Sequence, residues 1–157
     1  MENIHPLFVH FPIALLLTAF GVETVLLVAP ALRRPGWDGF SFLLLIGGTA
    51  AATAAVITGR MAAETAKHSM EIHRIMELHG RLGFVVLGLA AVAAGCRLLK
   101  KDHVSARLRW IAWGLLGAAC GAMVFGAHLG GRLVYEFGVG GSYGRSGGIQ
   151  VIDHAHQ

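Results

Sequence analysis

Histidine is the residue type whose positions in this 157-residue chain carry the most chemical information. The chain has nine histidines, as many as its aspartates and glutamates together. His5 and His10 open the first apolar segment, His79 opens the third, and His128 closes the fourth. If these segments are helices that run alternately up and down, His10, His79 and His128 lie at one level of the bundle. Because neutral imidazole is a good ligand for iron, copper and zinc, these residues are candidate metal ligands.

The glycines near His128 favour b-type haem as the metal group. Such a haem needs one or two axial histidines and an apolar slot for the macrocycle. On a helical wheel Gly117 and Gly121 lie close to His128, and glycines beneath a histidine would leave room for a flat ring. The alternative is that these glycines only bring helices together and that His128 forms a hydrogen bond at the interface.

We predict that His79 and His128 are the axial pair of this haem. His10, together with His5, is the alternate ligand or serves a second haem. Arg60, at the end of the second apolar segment, could pair with a haem propionate or reach the lipid headgroups. The haem would lie near the outer face of the membrane.

Copper is a second possible metal, because methionine and histidine alternate before and into the third segment. Met70, His73, Met76 and His79 recur every three residues, with His68 close by. Thioether and imidazole ligands suit Cu(I). A three-residue spacing drifts around an α-helix, however, so the four side chains cannot all point to one ion.

Four other residues have simpler interpretations. Cys96 and Cys120 lie inside apolar runs outside any C-x-x-C-H pattern, which excludes covalent c-type haem attachment and indicates packing residues. Glu23 and Arg97 lie late in the first and third segments and are expected to form a buried or snorkelling ion pair. A proton path that uses Glu23 is the alternative.

Four apolar segments of about 20 residues must position these side chains. The chain is 55% hydrophobic and only 14% charged, with a mean hydropathy of +0.62. This composition excludes a disordered chain, a nucleic-acid-binding basic protein and most soluble enzymes. About 20 apolar residues in a helix cross a bilayer core. We therefore predict an all-α integral membrane four-helix bundle with up-down-up-down order, whose helices span residues 7–29, 40–61, 79–99 and 108–129.

The connections suggest how this bundle sits in a membrane. An amphipathic helical connection is predicted between helices two and three, and the domain of residues 1–137 is followed by a Gly-rich flexible tail, residues 138–157. The first and third connections are short and basic, which favours a cytoplasmic position. Both termini are then periplasmic, in a multi-pass protein of the bacterial inner membrane.

Two sequence stretches resemble a known family. Residues 5–12 read HPLFVHFP, and residues 126–135 read GAHLGGRLVY. With His79 opening the third segment, they are similar to domain-of-unknown-function family 2231, bacterial predicted four-helix membrane proteins, over nearly the whole chain up to Gly141. Relatives are sometimes joined to cytochrome c or Rieske-type domains, so the resemblance implies a redox setting and makes the histidines at positions 10, 79 and 128 haem-ligand candidates.

Three functions are therefore open at the level of sequence. The first is a membrane electron-transfer subunit with b-type haem, passing electrons between quinol and a periplasmic partner inside a larger redox complex, without catalysing a reaction alone. The second is a metal-free membrane anchor or assembly subunit, in which the histidines form hydrogen bonds between helices. The third is periplasmic copper handling. All three place the chain in contact with the lipid bilayer.

Overall fold

The structure is a computed structural model that describes residues 5–65, 69–98 and 106–139. Within these ranges the chain is helical, without strands, and four helices are long and apolar enough to cross a membrane. The predicted all-α four-helix fold is thus confirmed. The elements are α1 (His5–Val28), a 3-10 turn (Pro30–Leu32), α2 (Pro35–Thr65), α3 (Met70–Leu98) and α4 (Ala106–Tyr135).

The helices are longer than the apolar runs that predicted them. The described parts of the amphipathic segment between the second and third runs form the last turns of α2, which end at Thr65, and the first turns of α3, which begin at Met70; residues 66–68 lie outside the described chain. Alanine, glutamate and methionine favour helix, and nothing in these turns breaks it. Pro35 starts α2, where its missing N–H costs no hydrogen bond.

A glycine ends α4. Gly138 has a φ of 65°, and the N–H of Val139 donates to the carbonyl of Leu133 over 2.8 Å. The N–H of Gly138 itself donates to the carbonyl of Val134 over 3.1 Å, which is the αL motif, in which glycine supplies the left-handed residue that closes the last turn. Of the predicted tail, residues 140–157 lie outside the described part of the chain.

The four helices form two hairpins. α1 packs mainly on α2, which we call the first hairpin, and α3 packs mainly on α4, the second hairpin. The contacts of α1 with α4 and of α2 with α3 form the seam between them. Leu16, Leu45 and Leu116 are almost completely buried at the centre. Alanines and glycines surround them, so the backbones approach closely, as is usual for helices in lipid.

The second hairpin repeats the buried positions of the first. Residues 5–24 of α1 have counterparts 74 residues later in α3, and residues 35–64 of α2 have counterparts 71 residues later in α4. The α1 and α3 sets are Pro12, Leu16, Ala19, Glu23 and Val86, Ala90, Ala93, Arg97. The α2 and α4 sets are Ser41, Leu45, Gly48, Ala52, Ala55 and Ala112, Leu116, Ala119, Met123, Gly126. The two hairpins thus present the same helical faces to the core.

Candidate functional site

Two histidine rings meet across the seam at one end of the bundle. The ring centroids of His5, the first residue of α1, and His79, in α3, are 6.2 Å apart. The ring planes are nearly perpendicular, at 82°. Both side chains are partly buried. We call His5 and His79 the histidine pair.

The first hairpin holds the ring of His5 through α2. Nδ1 of His5 lies 3.2 Å from the hydroxyl oxygen of Thr58, which itself donates to the carbonyl of Ala54. The hydroxyl of Thr58 thus connects the ring of His5 to the backbone of α2, and the tautomer of the ring decides which of the two groups is the donor. The ring covers Gly59, where an added Cβ would lie 2.9 Å from Cε1 of His5. Only glycine leaves space for the ring here.

The second hairpin holds the ring of His79 in the same way through α4. Nδ1 of His79 donates to the carbonyl of Gly126 over 2.9 Å. A carbonyl can only accept, so Nδ1 carries the proton and the lone pair of the neutral ring is on Nε2. The ring lies beside Gly130, where an added Cβ would be 3.2 Å from Cε1. Histidines that bind metals commonly donate their second nitrogen to such a carbonyl.

The structure does not bring His10 or His128 to this pair. His10 is exposed, and its Nδ1 donates to the carbonyl of Pro6 in its own helix over 2.7 Å. His128 is also exposed and lies about 200° around α4 from Gly126, which contacts His79. The predicted pairing of His79 with His128 is therefore not observed. Chain position sets the depth of a residue, but helical phase sets the direction of its side chain.

His128 lies near an ion pair at the end of α4. Arg132 donates hydrogen bonds of 3.0 and 2.9 Å to the two carboxylate oxygens of Glu136. These bonds hold the pKa of the Glu136 carboxyl below its usual value, and the positive form of His128 adds to this effect. His128 thus contributes to an exposed charged cluster.

The two glycines of the predicted haem slot on α4, Gly117 and Gly121, lie in different surroundings. An added Cβ on Gly117 would lie 3.0 Å from Cε2 of Phe20, whose ring also stacks on Trp113 with centroids 5.5 Å apart. Gly117 therefore serves the packing of α1 on α4. Gly121 is exposed, and none of the described residues comes within 4 Å of its added Cβ. Arg60, predicted to meet a propionate, is exposed beside Gly59.

The methionine and histidine repeat does not converge on one ion. Met70 is 78% exposed, His73 is exposed and Met76 is partly buried. His68 lies outside the described residues. Among the described residues no group of three or more histidine, cysteine or acidic side chains is arranged to hold a metal.

A buried ion pair crosses the seam at the other end of the bundle. Oε1 of Glu23 accepts a hydrogen bond from Nη1 of Arg97 and another of 2.6 Å from the hydroxyl of Ser41. Nη2 of Arg97 donates to the carbonyl of Asp38 over 3.0 Å. The Glu23–Arg97 pair expected from the sequence is confirmed. Each charge thus has an opposite charge and a further polar partner, which offsets the cost of its burial.

Asp38 adds a second ion pair to this end. Its Oδ1 accepts a 3.0 Å hydrogen bond from Nη2 of Arg109 in α4, and Nη1 of Arg33 lies 3.6 Å away. These charges link both hairpins.

Three of these contacts join residues that are counterparts in the repeat. They are His5 with His79, Glu23 with Arg97, and Asp38 with Arg109. A residue meets its own counterpart only close to a two-fold axis. The two hairpins are therefore related by an approximate two-fold axis that passes through the histidine pair and the ion pairs.

Comparison with known proteins gives a family and no activity. No curated protein and no solved structure matches the chain. The model of a family described as "Predicted membrane protein (DUF2231)" matches residues 1–142, which include all four helices. This chain belongs to the DUF2231 family of membrane proteins.

Proposed function

We propose that the protein is a membrane electron-transfer subunit that binds b-type haem between His5 and His79. The observation that carries this proposal is the histidine pair itself. Two imidazoles from different hairpins meet near a two-fold axis, and each is fixed through Nδ1 by its own hairpin. In His79 the carbonyl of Gly126 places the proton on Nδ1, which leaves the lone pair of Nε2 for iron, and the same tautomer of His5 would present Nε2 likewise.

The two imidazoles are a donor set that haem iron would accept, since b-type haem needs one or two axial histidines. Their ring centroids are 6.2 Å apart, and they come from different hairpins. Haem iron with two axial histidines supplies one-electron transfer, with a potential tuned by burial and by hydrogen bonds to the ligands. Nδ1 donation to Thr58 and to Gly126 would provide this tuning.

The macrocycle would enter at the seam between the hairpins. The helices contact each other less across the seam than within each hairpin. The hydrogen bond of His5 to Thr58 lies within the first hairpin, and that of His79 to Gly126 lies within the second. Separation of the hairpins at this end thus costs less than separation within a hairpin, and it preserves both hydrogen bonds.

Charge distribution supports an orientation with the histidine pair on the periplasmic side of a bacterial inner membrane. The described residues at the Glu23 end have five arginines and two carboxylates, whereas the histidine end has four of each. An excess of basic residues favours the cytoplasm, so both termini would be periplasmic. The partners would be quinol and a periplasmic redox subunit. The five arginines are Arg33, Arg34, Arg97, Arg107 and Arg109.

A visible spectrum of the protein purified from haem-replete cells tests the proposal. We expect a sharp reduced-minus-oxidised α band and haem in a pyridine extract. His5→Gln and His79→Gln should each lower the haem content strongly. The matched controls His10→Gln and His128→Gln replace exposed histidines and should retain it. A colourless preparation, or haem loss in H128Q alone, would refute the assignment.

A metal-free anchor or assembly subunit is the second candidate. It is favoured by the hydrogen bonds of His5 to Thr58 and of His79 to Gly126, because both join neighbouring helices without any metal. Under this function the double variant H5Q/H79Q would unfold more readily than the wild type. It would lose no bound metal, because the wild type would contain none.

A further inference from the structure

A large apolar groove lies on the outer surface of the first hairpin, near the end that contains Glu23. Its volume is about 470 Å³. It runs between the last turns of α1 and the start of α2. Val25, Leu32 and Trp37 line it and are each more than half exposed. The complete lining is Thr18, Gly21, Val22, Val25, Leu26, Leu32 and Trp37.

The lining of the groove suits a hydrocarbon chain. Its one hydroxyl, that of Thr18, donates to the carbonyl of Ala14 over 2.7 Å and is satisfied within the helix. Gly21 keeps the groove deep, since an added Cβ would meet none of the described atoms within 4 Å. An apolar surface of this size next to lipid is filled by an apolar occupant.

A surplus of positive charge lies at the end of the groove. Nη2 of Arg33 donates to the carbonyl of Leu26, a lining residue, over 3.2 Å. Nη1 of Arg33 is buried and forms no hydrogen bond within the described chain. Its nearest carboxylate, Asp38, is 3.6 Å away and already accepts a hydrogen bond from Arg109. The neighbouring Arg34 is exposed.

We propose that the groove binds one acyl chain of an anionic phospholipid, whose phosphate lies at Arg33 and Arg34. Guanidinium groups bind phosphate through paired, charge-assisted hydrogen bonds. Basic pockets between membrane helices bind anionic headgroups on the cytoplasmic side, where such lipids attract positive charge. Arg33 is joined by hydrogen bond to the groove wall, so one lipid molecule can occupy both features. The proposal does not depend on haem binding.

Fluorescence quenching tests lipid selectivity at Trp37. The full-length protein is placed in phosphatidylcholine vesicles with phosphatidylglycerol brominated on its acyl chains, or with phosphatidylcholine brominated likewise. The signal of Trp37 is the difference between the wild type and Trp37→Phe. We expect brominated phosphatidylglycerol to quench it at a mole fraction several-fold lower than brominated phosphatidylcholine. Equal quenching by both lipids would overturn the proposal, as would absence of quenching, which would show that another protein surface covers the groove.

Two variants with matched controls distinguish the site for the lipid headgroup from the site for its acyl chain. Arg33→Gln should abolish the preference for the anionic lipid, whereas Arg107→Gln, an exposed arginine at the same end, should retain it. Gly21→Leu adds an apolar side chain to the groove at a position where a Cβ would meet none of the described atoms within 4 Å, and it should weaken quenching by both lipids. Gly88→Leu, at an equally open position of α3, should not. If R33Q or G21L behaves like the wild type, the lipid does not bind as proposed.

Discussion

The two rings of the histidine pair each lie against a glycine, Gly59 for His5 and Gly130 for His79. An alanine at position 59 would place its Cβ 2.9 Å from Cε1 of His5, and one at position 130 would place it 3.2 Å from Cε1 of His79. Both distances are shorter than ordinary van der Waals contact, so each ring must move, and the ring of His5 must move further. Each shift would disturb a hydrogen bond that fixes the ring.

These contacts predict a graded loss of bound haem. Haem per protein should fall most in Gly59→Ala, less in Gly130→Ala, and not in Gly131→Ala, which adds a Cβ in open space. The measurement is the pyridine haem assay on purified variants that elute as the wild type does. The site would be wrongly assigned if G131A lost as much haem as G59A.

The buried ion pair predicts a large stability loss for Glu23→Gln. This change leaves the charge of Arg97 without its buried partner, and removal of one member of such a pair costs about 3–5 kcal/mol. Glu77→Gln is the control, because Glu77 pairs with Arg81 at the surface, where a pair contributes about 0.5 kcal/mol or less. Unfolding titrations in mixed micelles give both free energies. Similar losses in the two variants would contradict the buried role of Glu23.

At the scale of helices, substitutions at two adjacent glycines of α2 are expected to differ strongly in their effect on packing. An added Cβ on Gly48 would lie 2.6 and 2.8 Å from side-chain carbons of Leu16 and 3.2 Å from its backbone nitrogen. One on Gly47 would be 3.6 Å from Leu15, an ordinary contact. Gly48→Ala should therefore destabilise the first hairpin by about 1–3 kcal/mol, and Gly47→Ala should be nearly neutral. Thermal unfolding of both variants measures this, and equal midpoints would contradict it.

The sequence predicts the existence of the helices better than their ends. Apolar runs mark the part of each helix within the hydrocarbon, so four spans follow directly. The last turns of α2 and first turns of α3 lie beyond these runs, and helix propensity alone extends them. The runs thus give the shortest extent of each helix.

Which histidines meet depends on helix rotation, which hydropathy predicts poorly here. The apolar residues of α1 surround the whole helix because one side faces the core and the other faces lipid. Hydropathy therefore does not distinguish His5 from His10, although His5 faces the seam and His10 is exposed. A usable signal was present in the charges: Glu23 follows His5 by the same 18 residues that separate Arg97 from His79. Recognition of this repeat would have paired His5 with His79.

At the scale of the whole molecule, the charge difference between the two ends predicts orientation. Ala31→Cys lies in the connection between α1 and α2, and Glu64→Cys lies near the end of α2; both native residues are exposed. With Cys96 and Cys120 replaced by alanine, a membrane-impermeant maleimide added to spheroplasts should label E64C but not A31C. Labelling of both after lysis is the control. The reverse pattern would place the histidine pair on the cytoplasmic side.

The approximate two-fold axis predicts that the charges of Glu23 and Arg97 can be exchanged. Glu23→Arg alone places two buried guanidinium groups together, and this variant should lose most of its folding free energy or fail to accumulate. In the double variant E23R/R97E opposite charges again meet across the axis, so much of the stability should return.

Recovery should be incomplete, because the hydroxyl of Ser41 in α2 donates to Glu23, whereas its counterpart in α4 is Ala112, which has no hydroxyl. Unfolding free energies of the wild type, both single variants and the double variant give the coupling. A double variant no more stable than E23R would show that the two positions are not equivalent, and the two-fold relation would then describe only the packing of the apolar residues.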